Sequence, residues 1–203
     1  MRRGIQHAWD LAPKEAMALQ SRLASEVVRH DDFGPVARIG GVDVGFEDAG
    51  AVTRAAVAVL DRTSLRLAAS AIARLPTRFS YVPGLLSFRE APAVLAALAQ
   101  LDAPPDLLLC DGQGIAHPRR FGIACHLGLL LDLPAIGVAK TRLVGTHDAV
   151  PDRRGAWVPL MDGDEVIGAV LRTRAGVKPL YISPGHRVGL QSVIEWVMAC
   201  LTR

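Results

Sequence analysis

Two short apolar runs constrain the fold more than anything else in the chain: "DLLLCDG" at 106–112 and "PAIGVAK" at 134–140. Each ends in polar residues and is too short for a packed helix. Neither alternates as a half-exposed strand would, so each reads as a strand buried on both faces. Between them "RFGIACHLGLLLD" (120–132) is an apolar stretch of helical length. Such a β-α-β unit lays its strands parallel in one sheet and needs helices to cover it.

Upstream, three segments at 36–46, 51–61 and 65–76 read as strands joined by short turns, an antiparallel meander. The third is rich in alanine and also suits a helix. Helical spacing is expected over 13–29, where Pro13 fits the first turn and Met17, Leu19, Leu23 and Val27 share a face. A second helix is expected over 89–101, with Ser87 as its N-terminal cap. Downstream come a hairpin over 155–173 around "DGDE", a strand over 178–185 and a closing helix over 186–201 that His186 opens. The expected fold is α/β: a mixed sheet, part antiparallel meander and part parallel strands, flanked by helices.

Half of the 203 residues are hydrophobic, enough to bury one full core, so one domain over 1–203 is expected. The net charge of +3 and a pI near 9.0 permit a polyanionic partner without demanding one. Cys110, Cys125 and Cys200 sit among apolar neighbours without metal-ligand spacing, and read as reduced thiols of a cytoplasmic protein. The start, "MRRGIQHAWDLAP", has two arginines but no apolar core after them, so a signal peptide is not expected there. No apolar run reaches the length of a transmembrane helix.

Three carboxylates fall in unusual places. Asp43 stands inside an apolar strand, where aspartate is depleted and "GVDVG" offers it no partner. Asp111 ends a buried strand, on the edge where α/β sheets gather their sites. Glu90 sits at a helix start. Taken singly, Glu90 suits the helix dipole and Asp111 suits a turn. Taken together, they suit an all-oxygen cage for a hard divalent cation. His117, Arg119 and Arg120 follow Asp111 within ten residues, and Lys140 ends the next parallel strand. Singly these read as a loop histidine and solvated cations. Beside a metal they suit a phosphate.

The stretches "GGVDVGF", "YVPGLLSFREAP", "DGQGIAHPRRFGIACHLG", "IGVAKTRLVG" and "YISPGHRVGL" together resemble the endonuclease V family, deoxyinosine 3′ endonucleases with a ribonuclease-H-like fold. That resemblance covers nearly the whole chain. It implies Mg²⁺, with Mn²⁺ able to substitute, held by Asp43, Glu90 and Asp111. It implies that His117 and Lys140 are catalytic or contact phosphate. Tyr81 becomes the tip of a wedge that parts the duplex. Pro83, Gly84, Leu86, Gly112, Gly137 and His186 become substrate contacts around an extruded hypoxanthine. The implied partner is DNA carrying deoxyinosine or another deaminated base, cut by a monomer at the second phosphodiester 3′ to the lesion. Inosine-containing RNA is a competing substrate, because 2′-hydroxyl contacts leave no trace in sequence.

Two departures stand out. Ser80 occupies the place where the family's wedge commonly begins with proline. The stretch after "SPGHR" lacks the late carboxylate of ribonuclease-H-like nucleases, with Glu195 a turn further on. These leave room for a protein that binds inosine without cutting. A small-molecule enzyme with a phosphate loop finds no support, since neither "GVDVG" nor "DGQG" matches such a loop.

Overall fold

The computed structural model describes residues 4–201. The two arginines of the N-terminal reading, Arg2 and Arg3, lie outside them, as do the outermost residues of the expected domain.

The meander comes first along the chain. β1 (Arg38–Glu47), β2 (Val52–Asp61) and β3 (Leu67–Pro76) pair antiparallel. β2 alternates buried and exposed positions, which places Ala55, Val57 and Val59 on the core side. The alanine-rich third segment is therefore strand, because Ala71 and Ala73 complete the face that Ala55 and Val57 begin. β4 (Leu107–Asp111) and β5 (Ala135–Ala139) then run parallel to β1. β6 (Trp157–Asp162), β7 (Glu165–Leu171) and β8 (Leu180–His186) complete one sheet of order β3-β2-β1-β4-β5-β8-β7-β6.

The apolar runs are covered on both sides, as their lack of alternation demands. Leu108, Cys110 and Ala135 pack against α2 (Leu86–Leu98) and α3 (Ile123–Leu131). Leu107 and Ile136 face the other way, onto α4 (Leu190–Ala199). α1 (Pro13–Leu23) closes over Phe79, Leu85, Phe88 and Phe121. Among the described residues no helix is long and apolar enough to cross a membrane. Cys110 and Cys125 are buried free thiols, and Cys200 is half-buried.

Three expectations need correction. α1 stops at Leu23 and runs into a short 3₁₀ turn, Ala24–Glu26, before Val27 turns extended. α2 starts three residues earlier than read, at Leu86, so Ser87 is its second residue and caps nothing. Ser87 sends its side chain to His126 instead. His186 does not open a helix. It ends β8, and α4 begins only after Gly189. The Pro184-Gly185 pair stays extended here because β8 still pairs with β5 there.

Candidate active site

β1 and β4 lie in parallel register with Val42 opposite Cys110, so Asp43 stands level with Asp111 one step further along. β5 adds Lys140 just past its end. α2 brings Glu90 over these strand ends, and the loop 80–85 closes the side. The result is a cleft of about 540 Å³ lined by Asp43, Glu90, Asp111, His117 and Lys140, and by Tyr81, Pro83, Gly84, Leu86 and Gly112. These residues, from four separate stretches of the sequence, thus meet in one place. The volume suits a base-sized ligand.

Charge is distributed unevenly around it. Lys140 Nζ reaches Asp111 Oδ2 at 2.5 Å, and that hydrogen bond raises the lysine pKa above its ordinary value. Asp43 Oδ1 accepts the N–H of Val44 at 2.9 Å. Glu90 is only 6% exposed, and no side chain among the described residues bonds it. Burial first, then the charges of Asp111 and Asp43, push its pKa up to about 8, against a weaker pull from Arg89. A buried carboxylate facing two more has no stable charged state without a cation.

The donor chemistry fits a hard divalent ion: carboxylate oxygens only, on three separate backbone supports. Among the described residues, no three His, Cys, Asp or Glu side chains are drawn together as a finished metal site. In this arrangement Asp111 is engaged by Lys140.

The loop 80–85 is held by one atom. Gly84, at φ +77°, turns its carbonyl inward, where three donors converge on it. Gln20 Nε2 donates at 3.0 Å, Arg119 Nη2 at 2.8 Å and His117 Nε2 at 3.0 Å. Gln20 Oε1 in turn accepts from Arg119 Nε at 2.6 Å. A side chain at Gly84 would strain this φ, and its Cβ would stand 2.9 Å from Arg119 Nη2. From this anchor Tyr81 projects into solvent, 70% exposed.

His117 lines the cleft, yet its ring is fully engaged within the protein. Nε2 serves Gly84, and Nδ1 accepts the Arg119 N–H at 3.2 Å. Burial, helped by Arg119, lowers its pKa to about 4, so it is neutral near pH 7. In this structure both ring nitrogens serve the loop and its flank; the sequence reading made the residue catalytic or phosphate-contacting.

Two residues expected at the site stand elsewhere. Gly137 is buried mid-strand, and a Cβ there would lie 2.2 Å from the nitrogen of Gly114. Its role is to let the loop after β4 pass over β5. His186 pairs with Ala135 at the opposite end of β5, buried beside Asp132. Sequence reasoning missed Gln20, Gln113, Thr141, Arg142 and Leu143, which also line the cleft. The one available signal was weak: Gln20 stands at helical spacing from Ala16 and Leu23, on the face that packs inward.

Comparison with known proteins gives a consistent result. The family model for endonuclease V matches residues 21–203. The endonuclease V of Roseiflexus castenholzii is 55% identical over 203 residues, covering 100% of this chain and 90% of its own length. The crystal structure of endonuclease V from Streptomyces avermitilis superposes with a TM-score of 0.89 at 45% identity, covering 96% of this chain and 86% of that one. The Ciona intestinalis endonuclease V, crystallised with a 24mer DNA containing an inosine followed by a ribo-adenosine, superposes with a TM-score of 0.81 at 25% identity. That match covers 93% of this chain and 89% of the other.

Proposed function

We propose, from the premise that this chain belongs to the endonuclease V family, that it is a divalent-cation-dependent endonuclease of DNA repair that nicks at the second phosphodiester bond 3′ to deoxyinosine. The cut leaves 3′-hydroxyl and 5′-phosphate ends. The observation that carries the reading is Glu90: a buried, unpartnered carboxylate facing Asp43 and Asp111 beneath an aromatic-tipped loop.

Each residue has a task. Tyr81 and Pro83, on the tethered loop, enter the base stack beside the lesion, and the extruded purine occupies the cleft below. Unstacking one step costs about a few kcal/mol, which an apolar wedge offsets. Main-chain groups at Gly84 and Gly112 approach the base edge closely because neither residue has a side chain. Asp43, Glu90 and Asp111 would hold Mg²⁺, or Mn²⁺ in its place. Bound there, the cation supplies Lewis-acid charge to the oxygens of the reacting phosphate. Lys140 exchanges Asp111 for that phosphate as the site fills, and its charge meets the negative charge that develops during cleavage. His117 acts through Gly84 and keeps the loop in register.

RNA is the second reading. In the Ciona structure a ribonucleotide directly follows the inosine in the bound strand. A nicking assay separates the two. It compares inosine-containing DNA, the matching RNA and an undamaged duplex, each with Mg²⁺, with Mn²⁺ and with chelator. Cation-dependent nicking confined to the inosine DNA supports the proposal. Binding without cleavage in either metal makes the chain an inosine-binding protein instead.

A further inference from the structure

We propose that Ser87 is a specificity-determining residue of the cleft: two histidines hold its hydroxyl hydrogen away from the ligand, so that a bound purine meets a hydrogen-bond acceptor there. The inference deepens the reading of the cleft as a base pocket and rests on it.

Ser87 lines the cleft one helical turn before Glu90. Behind it His126 is fully buried and takes no part in the site described above. His126 Nδ1 lies 3.0 Å from Ser87 Oγ, and its Nε2 lies 2.6 Å from Nε2 of His7. His7 Nδ1 lies 2.8 Å from the carbonyl oxygen of Ala8.

The polarity of this chain follows from its far end. A carbonyl only accepts, so His7 Nδ1 carries a hydrogen. With one N–H per imidazole ring, His7 Nε2 is then bare and accepts; this polarity is the one the proposal takes for the pair. His126 Nε2 must then donate, which leaves its Nδ1 bare. The hydrogen between His126 and Ser87 therefore comes from the serine. His126 sits among the rings of Trp9, Phe88 and Phe121, at centroid distances of 5.4, 5.0 and 5.2 Å. That burial, with His7 alongside, lowers its pKa to about 3 and keeps it neutral, with the single N–H the argument needs.

A serine hydroxyl has one hydrogen and two lone pairs. With the hydrogen turned inward, Ser87 offers the cleft lone pairs only. The lactam form of hypoxanthine carries a hydrogen at N1 on its pairing edge, and adenine has a lone pair there. An acceptor at this wall attracts the first and repels the second. The determinant is also remote: His7, at the far end of the chain, lies in the segment before α1 and outside the cleft lining.

The test compares wild type with Ser87→Ala and His7→Phe. The substrates are duplexes carrying one hypoxanthine or one unsubstituted purine, whose N1 has a lone pair. The readout is the ratio of nicking efficiencies at saturating Mg²⁺. Ser87→Ala should lower the preference for hypoxanthine by roughly three- to tenfold, the worth of one hydrogen bond. His7→Phe keeps the stacked ring but removes the acceptor, which frees His126 to place its hydrogen on Nδ1 and turn that of Ser87 into the cleft. The preference should fall by a similar factor in that variant. Nitrogen-15 shifts of wild type, expected to show N–H at His126 Nε2 and at His7 Nδ1, read the chain independently of any activity. An unchanged ratio in either folded variant, or the opposite tautomers, overturns the inference and leaves the function intact. Wild-type protein that neither binds nor nicks inosine DNA overturns the underlying reading, and the inference with it.

Discussion

At the N-terminal end of β5, Asp132 accepts from Arg187 Nε at 2.8 Å, Arg187 Nη1 also reaches Asp32 at 2.7 Å, and His186 packs alongside, accepting the Val28 N–H at 3.3 Å. At the C-terminal end, among the described residues, Asp111 has Lys140 for company, Asp43 has its neighbour's N–H, and Glu90 has no hydrogen-bonded partner. Both ends bury carboxylates, and both have cations and a histidine nearby. One end pairs both of its carboxylates with Arg187 and so contributes to the fold. The other, among the described residues, leaves two of its three carboxylates without an ion pair across a cavity, a cost to the empty protein that a bound cation removes. The imbalance marks the site, where the mere presence of acidic and basic residues would mark both ends alike.

The largest break in that comparison is expected from Asp43→Ala and Asp111→Ala. Each should reduce Mg²⁺-dependent nicking of inosine DNA on the order of 10³-fold. Melting temperatures should stay near wild type or rise, since each change removes a charge that opposes Glu90. Wild-type nicking in both variants would end the metal reading. At the balanced end Arg187→Met should do the reverse. It strands Asp132 and Asp32, and should lower stability by about 3 kcal/mol in urea titrations while nicking at low temperature persists.

A smaller effect is expected from pH in metal-free protein. Glu90 is raised from near 4.5 to about 8 in the fold, so between those values the folded protein holds a proton that the unfolded chain has lost. Stability should therefore fall as pH rises from 5 to 8, by roughly 2 kcal/mol once pocket water relieves part of the strain. Glu90→Gln should flatten that slope, and Mg²⁺ should flatten it in wild type. A slope unchanged in Glu90→Gln would assign the effect to other groups. The smallest effect is expected from His186→Gln: about 1 kcal/mol of stability from one weakened hydrogen bond, with nicking within about twofold of wild type. A severe loss of nicking there would show that the two ends are coupled.

Much of this was legible in the chain because polar residues in apolar strands are conspicuous. Asp43, Asp111 and Lys140 stood out for that reason, and the parallel strands that carry them were plain from their unbroken apolar runs. Glu90 was marked more weakly, by its place at a helix start, and the role of the loop 80–85 followed from the family resemblance. The tethers were hidden for a different reason. Gln20 and Gly84 lie 64 residues apart, and nothing local to either reveals the other. His186 was misplaced because "GHRVG" resembles a helix start, whereas its pairing with β5 extends the strand through it. Ser87 was read as a cap from its neighbours alone, but a partner 39 residues away decides where its side chain goes.

The three donors gathered on the Gly84 oxygen fix the base of the loop, with Val82 packed against the core beside it. Tyr81 alone stands out in solvent above that base. A reporter dye at Tyr81 would therefore register arrival at a duplex without disturbing what lies beneath the loop. Anyone wishing to widen the range of bases accepted would gain little by redesigning the tip, and should loosen Gln20 or Arg119 instead.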